Sequence, residues 1–488
     1  DLLVALTGEA RDWLRSDLTD QGIILYNGLD GDNVIAIEFE KIAKEAGGSA
    51  IMANTVAAGA ALTLLGYDLA GLEANLTARF ARKGDDVVAA NLACARKGAE
   101  LVRDHAAKLQ GPPPNGAPTA ICSGNEAVGL GAATAGVKLA TAYPMTPSTG
   151  VITFLAQVAD RYGIVVEQAE DEIAAVNIVC GANYAGVPAM TTTSGGGFAL
   201  MVEGLSLAGM LELPILIFLG QRPGPATGLP TRTAQQDLLF AIHAGHGEFP
   251  RAVFAPGTPQ QCYDLARHAL QIAHKHQSPA ILMSDQFLAD IRKNCPGLDT
   301  TYRPIDRHIV QDPPAEYLRY AVTDSGLSPR AIPGGPAFVM VDSDEHGADG
   351  HITDHLPTRV EQQDKRMRKL AGLLADALPP EWYGPEDAGH LLIAWGSTYG
   401  PCREAVDLIN TDGGSAALLH FTQVWPLDAE ALRTAIGERA KITSVECNQT
   451  GQFAALLRQA GVLTQCELMT KYDGLPFTAE EIARRISP

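Results

Sequence analysis

No two cysteines in this chain are spaced as CxxC. The eight present, Cys94, Cys122, Cys180, Cys262, Cys295, Cys402, Cys447 and Cys466, lie far apart. That spacing excludes a zinc knuckle and a local iron–sulfur binding run. So few thiols for the length point to a reduced, cytoplasmic protein. Positive charge is also scarce: Lys and Arg number 37 against 56 Asp and Glu, a net charge of −19. Such a balance argues against nucleic acid and against an anionic membrane surface, though not against a local basic pocket for a small anion. Long apolar runs are missing as well. The strongest, residues 214–220, has the length of a buried strand and is far too short to span a bilayer. No signal peptide, internal repeat or low-complexity tract is expected.

The 488 residues are 46% apolar and 19% charged, an ordinary globular composition. Two to four domains are expected at this length. Asp1-Leu-Leu-Val-Ala-Leu6 reads as a buried strand from the middle of a domain, so further sequence upstream of it is expected. Strand patterns at 2–6 and 22–26 and helical patterns at 54–65 and 85–107 make a first α/β piece. The run Gly111-Pro-Pro-Pro-Asn-Gly-Ala-Pro118 then reads as a linker.

From residue 119 strands and helices alternate. Strands are expected at 120–123, 141–143, 164–166, 189–193 and 215–219. Helices are expected at 126–139, 151–162, 173–184 and 198–211, with Ser148 or Thr149 capping the second. Apolar strands alternating with helices predict a doubly wound parallel sheet. Residues 301–388, rich in Pro and Gly, read as an extended connection, and alternation returns from 389 as a second, smaller α/β domain.

In a parallel sheet ligands bind beyond the carboxyl ends of the strands. Four loops should meet there. Tyr143-Pro-Met-Thr-Pro-Ser-Thr149 offers hydroxyls and N–H groups on a rigid turn. Glu170-Asp-Glu172 brings carboxylates to a helix start. Ser194-Gly-Gly-Gly197 lets backbone approach a flat ligand. The loop from Gln221 to Thr231 holds one cation, Arg222, able to clamp a carboxylate. Each has a plainer reading: first-turn acids complement a helix dipole, glycine turns are common, and an arginine can cap a structural carboxylate. Together they suit an anionic substrate handled beside an organic cofactor. Of the other polar clusters, His346, His351 and His355 interleave with Asp344, Asp349 and Asp354, but glycines break the helix that a metal-binding pair would need. Lys365-Arg-Met-Arg-Lys369 reads as a solvated helix face, and His243 and His246 as structural histidines by default.

At these residues the chain resembles the α subunit of 2-oxoacid:ferredoxin oxidoreductases, most closely the 2-oxoglutarate type with a γ-like domain fused at its N-terminal side. The likeness runs nearly end to end. It includes Ser123-Gly-Asn-Glu-Ala127, the turn at 143–149, Glu170-Asp-Glu172, His243-Ala-Gly-His-Gly-Glu-Phe-Pro250, Ser284-Asp-Gln286, Trp395-Gly-Ser-Thr-Tyr-Gly400, Glu446-Cys-Asn-Gln-Thr-Gly-Gln452 and Lys471-Tyr-Asp-Gly474.

The resemblance implies a multi-domain α/β protein. Residues 1–110 would be the C-terminal part of a γ-type domain and 111–118 the linker. Residues 119–300 would bind the pyrimidine ring of thiamine diphosphate, and 389–488 would form a transketolase C-terminal-like domain. It further implies coenzyme A-dependent oxidative decarboxylation of 2-oxoglutarate to succinyl-CoA and CO2, or the reverse carboxylation, with electrons passing to ferredoxin. A partner β subunit would hold the diphosphate, Mg2+ and a 4Fe-4S cluster, in a dimer of αβ heterodimers.

Glu172 would be the carboxylate on the pyrimidine ring nitrogen, chosen over Glu170. Pro144, Ser194, Gly195 and Gly196 would face the cofactor, with no metal ligand in this chain. Arg222 would bind the substrate carboxylate with Thr146 and Thr231 as hydroxyl partners, and His243 and His246 would meet the distal end of a dicarboxylate. Alternatives are the same chemistry on pyruvate or a branched-chain or aromatic 2-oxo acid, and a non-catalytic assembly subunit. Relatives often have proline where Gly196 stands, and a glycine-rich loop of the γ domain is absent before Asp1.

Overall fold

In the computed structural model, strands β1 (Leu2–Ala5), β2 (Ile23–Tyr26) and β3 (Val34–Ala36) pair in parallel as a three-stranded sheet. Helices Ala53–Leu64 and Asp85–Leu101 pack beside one another in the same unit. Gly59 and Gly98 make that packing possible, since a Cβ at either would lie 2.0 Å from the facing helix's carbonyl oxygen. The chain divides into two compact units, Asp1–Pro118 and Thr119–Pro488. The structure describes all residues except 29–30, 32, 106–108, 110, 112–119, 438, 440 and 487–488, so the expected linker lies almost wholly outside the described residues. Among the described residues no single helix is long and apolar enough to cross a membrane.

The second unit opens with β4 (Ala120–Ser123), expected to begin the parallel series. Instead it pairs antiparallel with β11 (Arg292–Cys295) in a separate two-stranded ribbon. The main sheet contains β5 (Leu139–Ala142), β6 (Val165–Gln168), β7 (Ala189–Ser194), β8 (Leu216–Gln221), β9 (Ala252–Phe254) and β10 (Ala280–Asp285). A smaller sheet contains β12 (Glu381–Tyr383), β13 (His390–Trp395), β14 (Ala416–Phe421), β16 (Lys441–Glu446) and β17 (Glu467–Thr470). Between them in sequence, β15 (Gln423–Trp425) leaves the smaller module and pairs antiparallel with β9. The main sheet therefore runs β15-β9-β10-β8-β7-β5-β6, parallel apart from β15.

Both faces of the central strand β8 are covered, which is why it is apolar on both sides. On β8, Ile217 and Leu219 join one core with Val176, Val179, Phe198 and Leu205 of the covering helices. Leu216 and Phe218 join the opposite core with Val128, Val151 and Leu155.

The segment expected to be an extended connection, with a solvated helix face at 365–369, contains a 20-residue helix, Leu356–Ala375. Its inward face is charged rather than apolar: Lys365, Arg366 and Lys369 are all buried. The basic run is thus no solvated face. Lys365 Nζ lies 2.6 Å from Glu212 Oε1, and Lys369 pairs with the other oxygen of the same carboxylate. Arg366 forks onto Glu345 at 3.0 and 2.7 Å. Burial alone would raise the Glu212 carboxyl, but Lys369, Lys365 and Arg319 outweigh it and hold it at about 2. The nearby His346 is buried with its ring against Tyr320, whereas His351 and His355 are exposed and bonded to Asp349 and Thr358.

Candidate active site

The strand order changes direction at β5. From it the chain steps outward to β6, then returns to β7 on the other side and continues to β8. Such a switch point opens a crevice beyond the strand ends. The four neighbours β8, β7, β5 and β6 end in the four loops singled out from the sequence, so these loops stand side by side along one rim.

Of the acidic cluster, Asp171 caps the helix Glu172–Tyr184, its side chain accepting from the Ala174 N–H at 2.7 Å. Glu170 is exposed. Glu172 is left with no capping task and is only 3% exposed, and its Oε1 finds no hydrogen-bond partner among the described residues. The glycine at 197 is demanded by this carboxylate: a Cβ there would lie 2.3 Å from Glu172 Oε1 and 2.2 Å from Thr193 Oγ1. A buried carboxylate oxygen without a donor is costly, so its natural complement is an N–H or O–H carried in by a ligand. A protonated ring nitrogen of an aminopyrimidine, carrying an N–H, fits that requirement.

The neighbouring turn starts the helix Gly195–Met210. Ser194 stands at its N-cap, buried, without a side-chain capping bond. A Cβ on Gly195 would come 2.5 Å from Asp237 Oδ2, so this glycine too answers to a carboxylate. Burial pushes the Asp237 carboxyl up to about 6. Only Gly196 faces open space, its nearest neighbour being the Ala226 carbonyl oxygen at 4.0 Å. Its backbone, at the start of a 16-residue helix, is well placed to meet negative charge.

The turn at 143–149 leaves Tyr143, Pro144 and Thr146 exposed and buries Ser148; its Thr146–Pro147 bond is cis. Asn125 fixes the turn by donating from Nδ2 to the Pro147 carbonyl at 2.9 Å. Asn125 itself sits in the first turn of the helix Gly124–Ala135, which carries a Ser123–Glu126 capping box. The expected hydroxyl cap of the helix Thr149–Tyr162 is not made, because Ser148 Oγ donates to the Met145 carbonyl instead, at 2.8 Å.

Arg222 donates from Nη1 to the Thr146 carbonyl at 2.8 Å, so the cation and the turn are brought together through backbone rather than through the Thr146 hydroxyl. Arg222, Gly196, Asp237, Asn448, Gln449 and Thr450 all line a cavity of about 630 Å³. The sequence assigns no role to residues 448–450, although the motif at 446–452 is visible in it.

Thr231 is exposed and does not line this cavity, and neither does Pro144. His243 is exposed at the end of the helix Leu238–His243. The His246 N–H donates to Ser206 Oγ at 2.8 Å, and its side chain lines a different cavity, of about 520 Å³, with Ile173, Glu203 and Arg359. Ser206 lies about 16 Å along its helix from Gly195. Within this chain, then, the two histidines are not brought to Arg222.

Residues 130–365 match the family model described as the thiamine diphosphate-binding part of pyruvate flavodoxin/ferredoxin oxidoreductase. Residues 1–101 match the pyruvate ferredoxin/flavodoxin oxidoreductase model. The chain is 37% identical over 379 residues to 2-oxoacid:ferredoxin oxidoreductase 1, subunit alpha, of Sulfurisphaera tokodaii, covering 74% of this chain and 60% of that relative. It is 34% identical over 449 residues to the 2-oxoglutarate oxidoreductase subunit KorA of Mycobacterium tuberculosis, covering 89% and 67%. Against the first curated relatives it thus spans about three fifths of their length. Among solved structures it is similar to 2-oxoglutarate:ferredoxin oxidoreductase from Magnetococcus marinus with 2-oxoglutarate, coenzyme A and succinyl-CoA bound. That likeness has a TM-score of 0.92 at 33% identity and covers 100% of this chain and 87% of the other. With a fold of this likeness, two family models and relatives spanned over most of their length, the chain belongs to the 2-oxoacid:ferredoxin oxidoreductase family, among its alpha subunits.

Proposed function

We propose that the chain is the α subunit of a 2-oxoglutarate:ferredoxin oxidoreductase. It would convert 2-oxoglutarate and coenzyme A to succinyl-CoA and CO2, with electrons leaving to ferredoxin. The observation that carries this reading is the bare, buried Oε1 of Glu172, facing a glycine that no larger residue can replace. Thiamine diphosphate, when bound, supplies the nucleophilic carbon and the electron sink that decarboxylation needs. Glu172 would hold the pyrimidine ring by accepting a hydrogen bond from its protonated ring nitrogen, and so supply a base relayed through the ring. Gly197 keeps the space beside that carboxylate open, and the backbone at Gly196 lets the flat ring approach. Arg222, held over the rim by the Thr146 carbonyl, binds the carboxylate of the 2-oxo acid beside the reacting carbon.

The diphosphate, Mg2+ and 4Fe-4S cluster belong, in this reading, to a β partner in a cytoplasmic dimer of αβ heterodimers. The division proposed from the sequence accompanies it: residues 1–110 as the γ-type part, 119–300 for the pyrimidine, 301–388 as the connection and 389–488 as the C-terminal module. Names of relatives support 2-oxoglutarate as the substrate. Pyruvate or another 2-oxo acid is the second reading, favoured by the descriptions of the two family models.

The test is anaerobic viologen reduction by the chain co-expressed with its β partner, with 2-oxoglutarate, pyruvate or a branched-chain 2-oxo acid, with and without coenzyme A. Coenzyme A-dependent reduction selective for 2-oxoglutarate is expected. Activity on another 2-oxo acid alone would overturn the substrate, and a cofactor-loaded but inactive complex would make this an assembly subunit.

A further inference from the structure

The lining of the Arg222 cavity comes from parts of the chain far apart in sequence: Gly195, Gly196 and Ala199 follow β7, Arg222 to Asp237 follow β8, and Asn448 to Gln452 follow β16. Hydrogen bonds make the last two a single piece. Gln235 pairs with Cys447 through both backbone and side chain, its N–H donating to the Cys447 carbonyl at 2.7 Å and its Oε1 accepting from the Cys447 N–H at 3.0 Å. Asn448, buried, donates to the Gln235 carbonyl and to Glu446 Oε2, both at 2.9 Å, and accepts from the Gly451 N–H at 2.8 Å. Gln452 donates to the Gln236 carbonyl at 2.6 Å and accepts from the Leu239 N–H at 3.0 Å. Gln236 in turn donates from Nε2 to the Arg222 carbonyl at 3.1 Å. Glu446, Asn448 and Gln452 are all engaged in bracing the loop. Two other polar side chains of the run are not. Gln449 and Thr450 are exposed, make no side-chain hydrogen bond to any described residue, and line the cavity that Arg222 lines.

We infer that the loop 448–452 is the specificity wall of this cavity, with the Gln449 amide and the Thr450 hydroxyl reading the far end of the substrate. The inference rests on the 2-oxo acid reading above. Arg222 is the cation of the cavity, so once it holds the carboxylate beside the keto carbon, a second carboxylate must be met by neutral donors. An amide and a hydroxyl provide them, on a loop too well braced to withdraw. Donors of this kind discriminate strongly, because an apolar substrate end leaves them unpaired while an acceptor-bearing end satisfies them. The wall therefore selects 2-oxo acids whose far end carries hydrogen-bond acceptors.

The test uses the αβ complex with cofactor retained, comparing kcat/KM for 2-oxoglutarate and for 2-oxobutyrate, whose far end is apolar. In Gln449→Ala/Thr450→Val the ratio should fall by about tenfold or more, chiefly through KM for 2-oxoglutarate, as expected for the loss of one or two hydrogen bonds. Thr450→Ser, which keeps the hydroxyl, should restore its share. A ratio unchanged within about twofold in an active, cofactor-loaded double variant overturns the inference while leaving the proposed activity standing. Wild-type complex inactive on both acids overturns the activity and the inference together.

Discussion

Arg222 Nη1 and the Thr146 carbonyl oxygen, 2.8 Å apart, join loops that follow β8 and β5, and β7 lies between those two strands. The gap is closed from the β5 side: the turn at 143–149 leans over the end of β8, where a Cβ on Gly220 would lie 2.9 Å from Pro147 Cγ and 3.3 Å from the Ser148 nitrogen. The contact uses one corner of a planar fork and leaves the other N–H groups for a carboxylate. Arg222→Ala is expected to raise KM for the 2-oxo acid by about 10- to 100-fold, the worth of a charge-assisted pair. Arg222→Lys should recover little, since an ammonium lacks the planar fork that holds a carboxylate through two parallel bonds while a third donor keeps the Thr146 carbonyl. Steady-state kinetics beside a melting curve will separate lost binding from lost folding, and an unchanged KM would remove Arg222 from the substrate site.

Glu172→Gln keeps the shape of the side chain and removes its basicity. Turnover should drop by about 10²- to 10⁴-fold with the complex assembled and the cofactor retained. Near-normal turnover would end the role assigned to this carboxylate. Gly197→Ala makes a complementary probe: the new methyl would land on Glu172 Oε1, so cofactor occupancy should fall even though no functional group has been removed.

Glu212 is the counter-charge of two buried lysines. Its replacement by Gln leaves Lys365 and Lys369 facing each other without compensation, and a loss of about 3–5 kcal/mol is expected in denaturant titrations. With its carboxyl held at about 2, below the ordinary 4.5, Glu212 contributes stability that is fully present above pH 4.5 and is lost as pH falls towards 2. Wild type and Glu212→Gln should therefore converge in stability across that range. Curves that stay parallel would show that the pairing contributes nothing.

Asp237 behaves in the opposite sense. Its carboxyl is raised from 3.8 to about 6 by burial, so the folded state holds a proton that the unfolded chain releases earlier. Stability from this group is fully present below pH 3.8 and is lost as pH rises through 6. Asp237→Asn should remove that decline and be the more stable protein at pH 8, by about 1–2 kcal/mol. Urea midpoints at pH 5 and pH 8 will show it, and equal pH slopes in the two proteins would contradict it.

Much of this architecture can be read from residue patterns. Residues 214–220 announce a doubly covered strand, and the rhythm of strands and helices from 139 to 221 places four loops on one rim. Periodicity cannot name a strand's partner, which is why β4 looked like part of the main sheet. Of the helix Leu356–Ala375, the sequence shows the basic run 365–369 as a helix face but one turned to solvent, because hydrophobic patterning presumes an apolar inward face. Here the inward face is Gln362, Lys365, Arg366 and Lys369, and the acids that permit it lie elsewhere in the chain.

At the site, Glu172 could be preferred over Glu170 through family likeness, and its burial supplies the physical reason. His243 and His246 are not brought to Arg222 within this chain, because His246 lies beside Ser206, well along the helix Gly195–Met210. The wall at 448–452 was invisible because what makes it a wall is its meeting with residues 235–239.

The path of β15 bears on how this chain can be taken apart. Residues 423–425 leave the smaller module to form the last strand of the larger sheet, antiparallel to β9, and the chain then returns to β16. A cut near residue 388 therefore falls between two sequence segments but not between two independent bodies. The shortened protein would carry the raw edge of β9, open to pairing with its own copies. For anyone engineering this chain, the C-terminal module is not an exchangeable cassette: a replacement from a relative must arrive with its own matching edge strand.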